Sequence, residues 1–115
     1  MSVRLGNVTF DCVDPVAVSE FWAAVLEKKI DPDGTEHFRS IGRKTGSPAY
    51  LFVEVPEAKH GKNRVHIDLR TDDLEAEVER LTGLGATVVE EHHEWGFAWT
   101  VLADVEGNEF CVGRF

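Results

Sequence analysis

The chain carries an internal repeat. A strand-like run, VTFDCV, follows Asn7 and ends at Asp14-Pro15, where a helix-like stretch opens. A second run, VHIDL, contains His66 and ends at Asp72-Asp73-Leu74, where another helix-like stretch opens. Laying Asp14 on Asp73 sets an offset of 73 − 14 = 59. The same offset lays Asn7 on His66 (66 − 7 = 59), Trp22 on Leu81 (81 − 22 = 59) and Val25 on Leu84 (84 − 25 = 59). A repeat of this size implies two copies of one supersecondary unit packed together. It also proposes that Asn7 and His66 mark where the two copies face each other.

Local patterns fill in the units. Val8 to Val13 reads as a strand, with Asp14 as a helix N-cap and Pro15 in the first helical position. Val18, Phe21, Trp22 and Val25 follow at the spacing of one buried helical stripe. Asp31-Pro32-Asp33-Gly34 is a strong turn. His37 to Ile41 and Tyr50 to Val55 are strands, separated by a loop from Gly42 to Pro48. The polar segment Glu57 to Asn63 is read as a hinge. Beyond it, Arg64 to Leu69 is a strand and Asp72 or Asp73 caps a helix with a stripe of Leu74, Val78 and Leu81. Gly83 and Gly85 end that helix. Ala86 to Glu90, Phe97 to Leu102 and Glu109 to Val112 are strands, with a loop from His92 to Trp95. The expected fold is α+β: two βαβββ modules forming curved mixed sheets around a cup, helices outside. The expected division is one domain over 1–115, with module one at 1–56, the hinge at 57–63 and module two at 64–115.

Composition narrows the partners. The 115 residues are enough for one core. A formal charge of −9 repels a phosphate backbone, which argues against nucleic-acid binding. No apolar run reaches the roughly 20 residues of a membrane helix. The opening MSVRLGNVTF lacks the apolar segment of a signal peptide, so a cytoplasmic location is expected. Two cysteines make no disulfide framework, and strand alternation puts Cys12 and Cys111 on opposite kinds of face, so both are expected as free thiols.

These residues resemble the vicinal oxygen chelate superfamily, in its glyoxalase-like, bleomycin-resistance-type branch. The resemblance rests on DPVAVSEFWAAVL, KNRVHIDL, DDLEAEVERL with GLGA following, and DVEGNEFCV. The last is close to the family's D-P-D/E-G-N turn, with Val105 in place of proline. The resemblance implies a cup whose divalent metal, when present, is held by four inward side chains. Carried over, those positions are Asn7, His66, Glu54 and Cys111. His66 and Glu54 match the metal pattern, and imidazole with carboxylate suits Zn, Fe, Ni or Mn. Asn7 and Cys111 depart from it. The resemblance also implies that a homodimer is common.

Strand alternation proposes the rest of the site. The cup is expected to hold Asn7, Thr9, Phe52, Glu54, His66, Asp68, Glu109 and Cys111. Trp95, Phe97 and Trp99 alternate through WGFAW and would share one strand face, as a wall for an aromatic ligand, as ordinary packing or as a dimer interface. With a metal, Glu54 or Glu109 would move a proton beside a polarised carbonyl. His92-His93-Glu94 is read as a solvated loop. Two functions remain open. One is a glyoxalase-like protein that binds a small organic ligand, with metal-dependent lyase or isomerase chemistry. The other is a metal-free, non-catalytic drug- or metabolite-binding protein.

Overall fold

The computed structural model describes residues 2–45 and 48–114. The element order is β1 (Asn7–Cys12), α1 (Pro15–Leu26), β2 (Phe38–Ile41), β3 (Ala49–Glu54), β4 (Ile67–Arg70), α2 (Leu74–Gly83), β5 (Thr87–Glu94), β6 (Phe97–Ala103) and β7 (Glu109–Gly113). The chain divides into two compact units, Met1–Ala58 and Lys59–Phe115. Each unit has one helix and one open mixed sheet, which is the expected α+β class. The loop expected from Gly42 to Pro48 includes Gly46 and Ser47, which lie outside the described residues.

The repeat is physical at the helix starts. Asp14 accepts a hydrogen bond from the Ala17 N–H at 3.2 Å, and Asp73 accepts one from the Ala76 N–H at 3.1 Å. The two donors keep the same offset, 76 − 17 = 59. Each cap satisfies one of the orphan N–H groups that every helix start leaves. The ends differ. Glu27 closes α1 in a left-handed conformation, φ 53°, whereas Gly85, φ 117°, follows α2.

In the first unit the strand order is β1-β3-β2, with β1 parallel and β2 antiparallel to β3. The predicted stripe of α1 is buried throughout, with Val18, Phe21, Trp22 and Val25 between 0% and 6% exposed. Trp22 packs on Phe10, which stacks on Phe52; both ring pairs have centroids 5.2 Å apart. Phe10 and Phe52 are also register partners across β1 and β3. Among the described residues this unit has three strands where the repeat implies four. Asp31 makes one strand-like bond, N–H to Ser40 C=O at 2.8 Å. Pro32 then lacks the N–H that a continuing ladder needs.

The second unit is a complete βαβββ module of strand order β4-β7-β6-β5. β4 runs parallel to β7, and β6 is antiparallel to both β7 and β5. Leu81, Leu102, Phe110 and Val112 form its core at 1% exposure or less. Leu74 and Val78 are only half-buried. β5 is longer than the Ala86–Glu90 segment expected. It passes a register shift between Val88 and Glu90 and continues to Glu94. His92, His93 and Glu94 therefore pair with Trp99, Ala98 and Phe97, and are strand residues rather than a loop. Trp95-Gly96 then forms the two-residue hairpin turn, with φ 52° and 78°. Two positive φ values are what a type I′ hairpin requires.

Candidate functional site on the open face of the second unit

The β6 strand sorts its side chains by parity. Ala98, Thr100 and Leu102 are buried on the side where α2 packs. Phe97, Trp99 and Val101 point to the opposite, open face. Register extends that face across the sheet. Cys111 lies opposite both Val101 and Asp68, and His92 lies opposite Trp99. The imidazole of His92 stacks on the Trp99 indole, with centroids 4.9 Å apart and planes 15° apart. The sequence reading missed His92 because it ended β5 too early; the Trp-Gly hairpin turn was the available signal.

Three polar side chains converge on this face. The ligating atoms of His66, Asp68 and Cys111 all lie within 4.8 Å of one another. His66 Nε2 is 3.3 Å from Asp68 Oδ1. The Cys111 side chain is buried. Burial, and then the negative charge of Asp68 beside it, push its thiol above the usual 9.0. It is therefore a protonated thiol at neutral pH, which is a poor nucleophile. A cavity of about 390 Å³ is lined by these three residues together with Trp95, Phe97 and Trp99. A second space of about 280 Å³ shares His66, Trp99 and Cys111 and reaches Lys62, Glu90 and Glu109. A larger hollow of about 490 Å³ lies by the start of α2, among Asp72, Asp73, Glu91 and Arg114. It lacks the ligating trio, so size does not select it.

The expected carboxylates are placed otherwise. Glu109 Oε1 accepts from the Asn63 N–H at 3.2 Å and sits 3.2 Å from Lys62 Nζ. The Asn63 bond, aided by Lys62 and outweighing burial, holds this carboxylate below its ordinary 4.5. A general acid or base works best with a pKa near the working pH, so Glu109 is tuned away from that task. Glu54 Oε1 lies 2.8 Å from His37 Nδ1 within the first unit. That contact raises the His37 pKa. Glu54 is not among the converging ligand atoms.

Register also corrects the expected pairing of Glu54 with Cys111. Thr9 corresponds to Asp68 (68 − 9 = 59), and their strand partners are Leu51 and Cys111. Leu51 therefore takes the Cys111 position in the first unit. Phe52 is 0% exposed in the core with Phe10, on the face opposite to Asn7 and Thr9. Glu54 follows Phe52 in parity, two residues on. Asn7 and Thr9 alternate with Val8 and Phe10 and are exposed on β1. The Glu54–Cys111 pairing comes from the family resemblance and differs by 57 rather than the repeat's 59 (111 − 54 = 57), whereas strand register decides which side chains share a face.

A divalent metal tests well against this donor set. Imidazole nitrogen, carboxylate oxygen and thiolate sulfur are the ligand types that zinc accepts, and binding would release the Cys111 proton. Three such ligands with an open fourth position are the pattern of a catalytic site. The atoms must draw in somewhat, since ligands around a tetrahedral zinc lie roughly 3.3–3.8 Å apart given its bond lengths.

Two open mixed sheets with helices, and a cluster of metal-type ligands on the open face of one, define a protein of glyoxalase-like fold. The family model of the glyoxalase-like domain matches residues 7–113, and the chain belongs to that family, within the vicinal oxygen chelate superfamily. Solved structures agree on the fold. A glyoxalase/bleomycin resistance protein/dioxygenase family enzyme from Burkholderia phytofirmans is 20% identical, with TM-score 0.80, covering 97% of this chain and 98% of that one. The fosfomycin resistance protein FosX from Mesorhizobium loti is 14% identical, with TM-score 0.74, covering 100% and 93%. A lactoylglutathione lyase from Agrobacterium tumefaciens is 16% identical, with TM-score 0.68, covering 99% and 94%. At these identities the likeness carries the fold and no activity. No curated protein sequence matches the chain. Among the described residues no helix is long and apolar enough to cross a membrane.

Proposed function

We propose that this protein binds a small organic ligand against the open face of the second-unit sheet, and that recognition rather than turnover is its task. One observation carries this reading. The cavity of about 390 Å³ brings three aromatic rings together with a histidine, a carboxylate and a thiol. Ligand pockets typically span about 300–1,000 Å³, mostly apolar, with a few convergent polar groups that fix orientation. The groups that would do proton or acyl chemistry are poorly placed for it: Glu109 is held ionised, Glu54 is engaged by His37, and Cys111 is held as a thiol. A calorimetric screen of aromatic small molecules tests the reading, with Trp99→Ala measured beside the parent. Hits should lose at least about tenfold in affinity, or roughly 1.4 kcal/mol, in the variant. A screen without hits, or hits indifferent to Trp99, rejects the proposal.

The converging ligand atoms favour a second reading, a metal-dependent lyase or isomerase. His66, Asp68 and Cys111 would hold the ion, and a bound divalent ion would polarise a substrate oxygen. The chain's own contribution would be to orient the substrate against Trp99 and to keep water off that side. Elemental analysis of untagged protein, with His66→Ala alongside, decides between them. One zinc-group ion per chain, lost in the variant, supports the second reading. On the dimers common in the family and the chain's composition, the working state is a cytoplasmic homodimer. A solution mass equal to the 12.9 kDa chain would reject the dimer.

A further inference from the structure

We infer that the ligand of this face is a small organic cation, an alkylated ammonium group carried on a compact apolar body. The inference rests on the binding reading above and adds the chemistry of the ligand. Aromatic rings present negative faces, and several rings around one space attract a cation that sheds its water. Trp95, Phe97 and Trp99 supply three rings to one cavity, and Asp68 is the one carboxylate in its described lining, with His66 Nε2 3.3 Å from its Oδ1. No lysine or arginine lines the cavity among the described residues. Lys62, beyond the lining, sits 3.2 Å from Glu109, and Arg70, the next outward residue on β4, does not line the cavity.

Trp95 supplies an independent argument. It occupies the first central position of the hairpin turn at φ 52° and is 84% exposed. Local energetics favour Asn, Asp or Gly at such a position, and a bulky side chain with positive φ is uncommon. So exposed a ring adds little to packing. An exposed tryptophan held in an unfavourable backbone conformation at a cavity rim is the kind of outlier that points toward a ligand. Phe97 and Trp99 line the same open cavity as this ring.

A matched pair of probes tests the inference. Para-hydroxyphenyl-trimethylammonium and para-tert-butylphenol share shape and differ in charge, and para-hydroxybenzoate supplies the opposite charge. Calorimetric titration of the full chain should show the cation binding about tenfold or more tighter than its neutral isostere, with the benzoate weakest. Asp68→Asn should shrink the preference to about twofold or threefold, while the melting temperature certifies the fold. Trp95→Asn should weaken the cation without lowering the melting temperature. Equal binding of cation and isostere overturns the cation inference and leaves the ligand reading standing. A preference that survives Asp68→Asn also overturns it. Binding of none of the probes overturns both.

Discussion

At the scale of single residues, two side chains are more informative than their neighbours. Cys111 is one. Burial and the adjacent Asp68 both favour the neutral thiol, and thiol reactivity follows the thiolate fraction. Alkylation by iodoacetamide at pH 8 should be much slower than for an unstructured thiol. Asp68→Asn should speed it, because removing the negative charge lowers the cost of ionising the sulfur; mass spectrometry of the modified peptide gives both rates. An unchanged rate would mean that access alone limits the reaction. Trp95 is the other. Trp95→Asn places the favoured residue in a type I′ turn and relieves a left-handed conformation that costs roughly 1–2 kcal/mol for an ordinary side chain. The variant should melt at the same temperature or a few degrees higher, with cation binding weakened. A drop in stability would show that the indole is structural after all.

At the scale of elements, Asp31 fastens the loop before β2 to β2 and to the turn after it. Asp31 accepts from Ser40 Oγ at 2.7 Å, Arg43 N–H at 3.1 Å and Gly42 N–H at 3.3 Å. Burial pushes its carboxyl up, but these bonds outweigh burial and hold it below the ordinary 3.8. Bonds to a charged acceptor contribute about 1.5–3 kcal/mol each when buried and less when exposed. Asp31→Ala should therefore cost about 2 kcal/mol in urea unfolding and loosen β2 first, as amide exchange would show at Ser40. The elements were largely legible in sequence where one local rule decided them. The Asp14 and Asp73 caps and the Val18-Phe21-Trp22-Val25 stripe need only neighbours three or four residues away. Legibility failed where strand pairing decides. Only the Trp95-Gly96 turn says locally that β5 continues past Glu90, since the Val88-Val89-Glu90 run before it has no clean alternation. Nothing local says that Glu54 falls on the face of Phe52 and Phe10 rather than on the face of Thr9. The Asp68–Cys111 contact is likewise a product of register across 43 residues (111 − 68 = 43).

At the scale of the molecule, charge sets the working range. The chain carries −9 at pH 7 and an isoelectric point near 4.9, so self-repulsion grows as pH rises. Specific groups sharpen this on both sides. Asp31 and Glu109 have folded pKa values below their ordinary 3.8 and 4.5. The unfolded chain thus binds more protons as pH falls, and the stability these groups add is full above about pH 5 and lost below pH 4. His37 is shifted the other way, above its ordinary 6.5, chiefly by the hydrogen bond to Glu54. Its contribution is full below pH 6.5 and lost as pH rises through the folded value. Cys111, raised above 9.0, adds a similar loss in the alkaline range. The melting temperature should therefore peak between about pH 5 and 6.5 and fall on both sides, steeply below 4. Two controls separate local from global causes. His37→Ala should flatten the slope between pH 6.5 and 8, whereas added salt should raise the alkaline limb by screening the whole negative field. If salt abolishes the alkaline decline and His37→Ala leaves it unchanged, net charge alone accounts for it and the His37–Glu54 pair contributes nothing to stability.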